Sequence, residues 1–256
     1  GEIASTDAQL ARLWSFLGDR GLRERTFLVL AADHGESLGE HQEAAHGFFI
    51  YEATVHVPLI FVTPFPRLQG VASPAVVSLA DIFPTLCEMS GQPPPGQAQG
   101  RSLVPHFLKP GRPSEGFAYA ETFYPRYHYG WSELQSVRDG RYKLILSPEP
   151  ELYDLEADPA EGANIIEKER SVFLALNERA TAFTARAARG GFELDYRKID
   201  EETRTKLAAL GYIGSFSDPA KLRGKRLASP RAKIGIFNAL SRAREMGLEG
   251  DAAEAI

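Results

Sequence analysis

A loop in the first fifth of the chain, residues 31–47, gathers the side chains best suited to chemistry. It carries His34, His41 and His46, half of the six histidines in the sequence, together with four acidic residues. Asp33 directly precedes His34, and a carboxylate beside an imidazole offers the oxygen and nitrogen ligands that a divalent cation accepts. The pattern therefore predicts a metal site; the alternative is a polar, glycine-rich surface loop whose histidines merely cluster.

Two short apolar runs flank this loop and predict the strands that position it. Residues 26–30 form the first run, and the loop begins where that predicted strand ends. We expect this strand to be parallel to its neighbours in an open α/β sheet, in which ligands bind at the carboxyl ends of strands. The second run covers residues 57–62, where Pro58 restricts it to a strand start or a sheet edge.

The order and spacing of several motifs here resemble the sulfatases of the alkaline-phosphatase superfamily. The motifs are Asp33-His34-Gly35-Glu36, Leu38-Gly39-Glu40-His41, His46-Gly47, Tyr51-Glu52 and Val57-Pro58-Leu59-Ile60. The resemblance extends more weakly from Glu2 to about Asn164. It implies part of an alkaline-phosphatase-like α/β domain, with a mixed or parallel sheet and helices, followed by a small antiparallel α+β subdomain and a helical tail.

The resemblance also implies roles for individual residues. Asp33 and His34 correspond to metal ligands, usually for calcium, with magnesium, manganese and zinc as alternatives. His46 corresponds to a residue that contacts the sulfate group, so we expect it to be both catalytic and substrate-binding. His41 is expected either to support the loop or to contact the metal ligands from outside the coordination shell.

An aromatic stretch at residues 124–131 contains a second candidate for substrate binding. His128 in this stretch is expected to lie near the anion, in a pocket lined by aromatic rings. The alternative is a loop whose rings pack on one another.

Sulfatases use a formylglycine nucleophile, made from Cys or Ser in a motif with Pro or Ala two residues later and Arg four residues later. The single cysteine, Cys87, is followed by Glu88-Met89-Ser90-Gly91 and does not fit, and no other position supplies the motif. We therefore expect formylglycine in an N-terminal part outside this chain. The 256-residue chain by itself is expected to be inactive and to bind metal weakly. Cys87 is interpreted as a small buried thiol on a helix.

The predicted organisation has four parts. They are the back half of the sulfatase α/β domain at 1–110, its α+β subdomain at 111–190, a linker at 191–230 that contains a short helix at 201–210, and the start of a tetratricopeptide-like region at 231–256. A single incomplete repeat cannot bury a core of its own. We therefore expect the residues after Pro230 to be poorly held.

Hydrophobic periodicity and turn residues predict the remaining elements. A helix at 8–21 is expected to cover one face of a sheet, and Ser78 with Asp81 forms a capping box that begins another helix. The other expected elements are strands at 117–123 and 151–155, a hairpin of 134–138 with 141–146 around Asp139-Gly140, and a long helix at 163–189.

Composition argues against several classes of partner. A net charge of −5, with no basic run interleaved with aromatics, argues against nucleic-acid binding. No apolar stretch approaches the roughly 20 residues needed to span a bilayer. One cysteine excludes an internal disulfide framework. The compartment stays open, since a preceding export signal would make the protein periplasmic or membrane-attached.

The predicted activity is metal-dependent hydrolysis of a small-molecule or carbohydrate sulfate ester. Hydrolysis of phosphate or phosphonate esters is one alternative, because the superfamily treats both kinds of anion with a similar metal site. The other alternative is a non-catalytic sulfatase-like module on a tetratricopeptide scaffold, which would bind a protein partner.

Overall fold

The computed structural model describes residues 1–112, 116–189, 222 and 224–249. The chain divides into two compact units: Gly1–Asp33 with Val57–Glu115, and His34–His56 with Gly116–Ile256. The predicted domains are each continuous in sequence, whereas these units are not, and the domain boundaries stay a prediction. The short helix predicted at 201–210 and the last residues of the chain, 250–256, lie outside the described residues.

The helices and strands of the described residues have the following bounds. The helices are α1 (Glu2–Asp19), α2 (Glu52–Val55), α3 (Ile82–Met89), α4 (Val104–Leu108), α5 (Tyr124–Tyr129), α6 (Arg170–Arg189) and α7 (Ile234–Glu249). The strands are β1 (Leu28–Ala31), β2 (Leu59–Val62), β3 (Ala118–Thr122), β4 (Leu134–Arg138), β5 (Tyr142–Leu146) and β6 (Glu151–Asp154). The predicted hairpin is confirmed as β4 and β5, whereas the aromatic stretch forms α5 instead of a loop.

In the first unit, β1 and β2 pair antiparallel, so the expectation of a parallel neighbour is wrong for this pair. Ala31 at the end of β1 lies opposite Leu59 at the start of β2. The chain therefore leaves β1 and enters β2 at the same end of the two-stranded sheet. A parallel partner would require a crossover to the opposite end.

The apolar face of α1 is only partly covered. Leu10, Leu13 and Trp14 are 37%, 42% and 39% exposed, so the predicted burial of this face against a sheet is wrong. A two-stranded sheet offers little surface to cover such a face. Arg23 supplies part of the cover, since its guanidinium lies 4.5 Å from the centroid of the Trp14 ring.

The predicted capping box before α3 is confirmed. The Asp81 carboxylate accepts the amide of Ser78 at 2.9 Å and the amide of Arg101 at 2.8 Å. Asp81 is therefore occupied in holding backbone, which supports its interpretation as a cap. Phe83 of α3 and Leu79 just before it are 55% and 38% exposed, so the apolar side chains here are only partly covered.

The second unit is built on an antiparallel sheet of four strands in the order β3-β4-β5-β6. Successive side chains of a strand point to opposite faces. Leu144 and Ile145 are nevertheless 0% and 1% exposed, because both faces of the sheet are covered. On the Leu144 face, α6 contributes the buried residues Leu176 and Ala180.

The opposite face is covered by two segments that are distant in sequence, residues 48–51 and α7. The buried cluster contains Phe48, Phe49, Ile50, Tyr51, Leu134, Ile145, Tyr153, Ile234 and Phe237. The expectation that residues after Pro230 are poorly held is therefore wrong for the described part of α7. The physical reason is that Ile234 and Phe237 lie three residues apart, on one face of the helix, and both enter this core.

Across the part of the chain that the structure describes, we find no helix with the length and apolar character needed to cross a bilayer.

Candidate active site

Two of the predicted site histidines stack on each other in the second unit. The ring centroids of His34 and His46 are 4.0 Å apart, with an angle of 26° between the planes. His46 Nδ1 lies 2.9 Å from Glu36 Oε2, and these two side chains are 45% and 50% exposed. An incoming anion can therefore reach the pair. Glu36 had no predicted role beyond its place in a motif, and only its contact with His46 identifies it.

The backbone contact of His34 determines which nitrogen suits a metal. His34 Nδ1 lies 2.9 Å from the carbonyl oxygen of Gly35. A carbonyl oxygen only accepts hydrogen bonds, so Nδ1 is the donor in this contact, and in the neutral form of the ring Nε2 would carry the lone pair. Metal-binding histidines commonly have their other ring nitrogen held in this way.

The donors suit a divalent cation in type but do not complete a metal site. Asp33 would contribute carboxylate oxygen and His34 imidazole nitrogen, which fits part of a coordination shell. Within the described ranges, however, no three His, Cys, Asp or Glu side chains form a group that could hold a metal ion. The ligand roles of Asp33 and His34 therefore stay predictions.

The buried carboxylate of Glu43 stabilises the conformation of residues 31–47, hereafter the histidine loop. Glu43 is 1% exposed, and its Oε1 accepts the amides of Phe48 at 2.9 Å and Phe49 at 3.2 Å. Burial raises the pKa of Glu43 to about 7, although the two amide hydrogen bonds act to lower it. The sequence pattern did not identify Glu43, because its role depends on a turn that brings residue 43 back to the amides of 48 and 49.

Two glycines of the loop are required for different reasons. A Cβ on Gly35 would lie 2.2 Å from the carbonyl oxygen of Ala53, so only glycine allows α2 to approach so closely. The Gly35 amide donates to the carbonyl of Thr54 at 2.8 Å. Gly47 has φ +91°, and its carbonyl accepts the Thr122 hydroxyl at 2.6 Å.

His41 belongs to the structural part of the loop. His41 and Gln42 have φ of 52° and 69°, a left-handed conformation that is uncommon for residues other than glycine. The His41 ring stacks on Tyr51 with centroids 3.5 Å apart. Burial lowers the pKa of His41; the charge of Glu151 opposes this effect and that of Arg231 adds to it. These contacts agree with the expected supporting role.

A network of buried charges anchors the start of α2, which follows the loop, to the sheet. The Glu52 carboxylate at the start of α2 lies 3.0 Å from Lys143 Nζ and also accepts from Arg138. Lys143 Nζ lies 2.9 Å from Glu161, whose other oxygen accepts the Glu52 amide at 2.6 Å. Lys143 and Glu161 are 1% and 2% exposed, and buried charges of this kind are tolerated when they are paired.

The aromatic stretch packs largely on itself. The His128 ring stacks on Tyr124 at 4.1 Å, and Tyr129 stacks on Trp131 at 4.7 Å. Tyr129 also meets Phe237 of α7 edge to face at 6.0 Å. The alternative in which the rings pack on one another therefore describes this segment, and substrate binding by His128 stays a prediction.

Cys87 lies in α3 as a free, partly buried thiol, less enclosed than the small buried residue expected from the sequence.

The arrangement of helices and strands is that of alkaline-phosphatase-like sulfatases. A phosphonate monoester hydrolase of Agrobacterium radiobacter is 30% identical with a TM-score of 0.60, over 73% of this chain and 40% of that one. BT4656, solved in complex with its substrate D-glucosamine-2-N,6-O-disulfate, is 26% identical with a TM-score of 0.57, over 72% of this chain and 40% of that one. The putative sulfatase yidJ from Bacteroides fragilis shares the fold, with a TM-score of 0.62 at 20% identity, over 73% and 41%.

A family model described as N-sulphoglucosamine sulphohydrolase, C-terminal, matches residues 39–184, more than half of the chain. The chain therefore belongs to this family of sulfatases. Arylsulfatase K of Bos taurus is 32% identical over 192 residues, covering 69% of this chain and 34% of the relative. Arylsulfatase K of Gallus gallus is 34% identical over 179 residues, covering 63% and 32%. The chain thus spans about a third of the length of these curated relatives.

Proposed function

We propose that this chain is part of a metal-dependent hydrolase of sulfate esters, with a sulfated carbohydrate or a small sulfate ester as substrate. The observation that carries the proposal is the accessible His34–His46 stack, with Glu36 on His46, in a chain of the sulfatase family. The naming of arylsulfatase K and the glucosamine disulfate bound to BT4656 support the substrate class.

In this proposal His46 is the residue that meets the sulfate group. Protonated His46 donates from Nδ1 to Glu36 and presents Nε2–H to an oxygen of the anion. Charge that develops on the sulfuryl oxygens is then stabilised by a donor whose direction is already set. The overall reaction breaks the S–O bond to the alcohol and consumes water, giving the free alcohol and sulfate.

Asp33 and His34 Nε2 would hold the divalent cation, with calcium as the first expectation. Sulfatases generally use a divalent metal, which when bound polarises the sulfate oxygens and favours the ionised nucleophile. The family also generally uses formylglycine as nucleophile. The sequence of this chain does not contain the motif from which formylglycine is made, so the nucleophile is assigned to no residue here.

Substitution of His46 in the complete protein that carries this chain tests the proposal. His46→Ala should lower kcat for a sulfate ester by about 10²–10⁴-fold, the usual contribution of a positioned proton donor. Glu167→Gln, an exposed change on the second unit, is the control and should leave kcat unchanged. Full activity in His46→Ala would contradict the assignment.

A second candidate is hydrolysis of phosphonate or phosphate monoesters. The phosphonate monoester hydrolase of Agrobacterium radiobacter, at 30% identity, is more similar in sequence than BT4656. A histidine donor beside a divalent cation suits either tetrahedral anion. Comparing kcat/KM for matched aryl sulfate and aryl phosphonate esters separates the two, and a higher value for the phosphonate would favour the second candidate.

The non-catalytic scaffold stays a further alternative. The helix expected to begin a tetratricopeptide unit is present as α7, but residues 250–256, which would begin the second helix of the unit, lie outside the described part of the chain. A complete protein without turnover of any sulfate or phosphonate ester would favour this alternative.

A further inference from the structure

We infer that residues 228–238 act as a positioning element for the histidine loop and belong functionally to the candidate site. The match to the family model ends at residue 184, so this segment lies outside the matched residues. The inference rests on the proposed function only for the role of His46. The contacts that carry it all lie within the second unit.

The first contact supports the loop next to His46. The Phe237 ring stacks on the Phe48 ring with centroids 4.3 Å apart and 20° between the planes. Phe48 is 0% exposed and lies two residues after His46. Because Glu43 also holds the Phe48 amide, the ring and the backbone of this residue are fixed from two sides. Phe237 therefore limits how far the backbone that carries His46 can move.

The second contact supports the strained turn of the loop. Asn238 Nδ2 donates to the carbonyl oxygen of Gln42 at 2.7 Å. Gln42 and His41 both have left-handed backbone conformations, which persist only when the surroundings favour them. The Asn238 amide provides such a stabilising contact to the backbone of Gln42. Without this hydrogen bond, the left-handed backbone conformation of residues 41 and 42 is less stable.

The segment is itself held in place, so it can act as a support. The Ala228 carbonyl accepts the amide of Ser132 at 2.8 Å, and Arg231 donates to the Glu151 carboxylate. Glu151 also accepts the Tyr51 hydroxyl at 2.8 Å. The Tyr51 ring in turn stacks on the His41 ring. The segment thus reaches the loop at Gln42, at Phe48 and, through Glu151, at Tyr51.

Nuclear magnetic resonance on the 256-residue chain tests this inference without any catalytic assay. Asn238→Asp keeps the size of the side chain but removes the N–H donor, and Phe237→Leu removes the stacked ring. Arg242→Ala, an exposed change on α7, is the matched control. The readouts are hydrogen exchange of the loop amides of Ser37, Gly39 and Phe48 and the Overhauser effect between the rings of His34 and His46.

We expect Asn238→Asp to accelerate exchange of the loop amides by about fivefold, the effect of losing one typical hydrogen bond. Phe237→Leu should accelerate this exchange as well, and both variants should weaken the Overhauser effect. In Asn238→Asp the amides of β4 and β5 should exchange as in the wild type, which separates positioning from general destabilisation. If Phe237→Leu also accelerates exchange of the β4 and β5 amides, the whole unit is destabilised, and the inference is then judged on Asn238→Asp alone. Loop exchange and ring contact unchanged in Asn238→Asp would overturn the inference.

A separate measurement distinguishes failure of the proposed function. Inorganic sulfate added to the wild-type chain should shift the ring resonances of His46 if this residue meets the anion. Absence of that shift, together with a loosened loop in the variants, would count against the proposed function while leaving the positioning role intact.

Discussion

The carboxylate of Glu36 gives the imidazole of His46 a defined direction. An ionised acceptor makes a stronger hydrogen bond than a neutral one. The contact spans 2.9 Å between two half-exposed side chains. The effect of Glu36 on His46 is therefore one of orientation and charge, and it is moderated by water.

Replacing Glu36 by Gln should lower kcat for a sulfate ester by about tenfold, which corresponds to about 1.4 kcal/mol. Gln retains an acceptor of similar size but loses the charge, so the loss should be smaller than in His46→Ala. Steady-state kinetics on the complete protein provide the test, with Glu167→Gln as control. A kcat equal to that of the wild type would show that Glu36 does not act through His46.

The buried carboxylate of Glu43 should make stability depend on pH. Its folded-state pKa of about 7 lies above its ordinary value of 4.5, so between these values the folded state binds more protons than the unfolded state. The free energy of unfolding should then fall as pH rises from 4.5 through about 7, by on the order of 3 kcal/mol.

Urea denaturation of the wild type and Glu43→Gln across this pH interval tests the Glu43 prediction. The Gln variant cannot ionise at this position and should lack that part of the decline. Glu167→Gln, in which an exposed carboxylate is removed, should keep the decline of the wild type. Parallel curves for the wild type and Glu43→Gln would contradict the prediction.

At the scale of elements, the four-stranded sheet of the second unit is stabilised from both faces. The Leu144 face packs on α6, and the Ile145 face packs on residues 48–51 and α7. The histidine loop is therefore attached to the same sheet that α6 supports. Stability of the loop should depend on both layers.

Two leucines of α6 provide a matched test of the first layer. Leu176 is 2% exposed and enters the core, whereas Leu174 on the same helix is 54% exposed. Leu176→Ala should lower the free energy of unfolding by about 2–5 kcal/mol, while Leu174→Ala should change it much less. Equal losses for the two variants, measured by chemical denaturation, would show that α6 is not packed on the sheet through Leu176.

Removal of α7 tests the second layer. Deleting residues 231–256 removes Ile234 and Phe237 from the core, and the loss of Phe237 alone is worth about 3–5 kcal/mol. A lower melting temperature is therefore expected, in contrast to the expectation from the sequence. Deletion of residues 250–256 alone is the control and leaves these core residues in place. An unchanged melting temperature in the larger deletion would restore the sequence expectation.

At the scale of the whole molecule, the chain has a sulfatase fold and spans about a third of the length of its curated relatives. In the proposed function, the donors that it would bring to a metal are two neighbouring residues, Asp33 and His34. A carboxylate and an imidazole alone leave most of a calcium coordination shell to other groups, since calcium takes about six to eight oxygen ligands.

The purified 256-residue chain should therefore show no turnover of an aryl sulfate above the blank and only weak calcium binding by calorimetry. The physical reason is the absence of the nucleophile motif from this sequence, together with the incomplete ligand set. The complete protein provides the positive control, and Asp33→Asn in that protein should weaken metal binding. Turnover by the 256-residue chain would refute this prediction and require a nucleophile that we have not identified.

The sequence by itself was sufficient for features that depend on local spacing. The capping box of Ser78 and Asp81 and the hairpin around Asp139-Gly140 follow from residue types a few positions apart, and the structure confirms both. The sulfatase motif around His34 and His46 also indicated the family. Such signals are local because the groups involved are joined by a short length of backbone.

Only the tertiary structure decided which distant groups meet. The stack of Phe237 on Phe48 joins residues far apart in the chain, and the antiparallel pairing of β1 with β2 depends on where the chain returns. Glu43 and Lys143 are polar side chains that a sequence pattern assigns to the surface, yet both are 1% exposed because partners reach them inside the fold. Periodicity reports which face of an element is apolar, but it does not report which other segment covers that face.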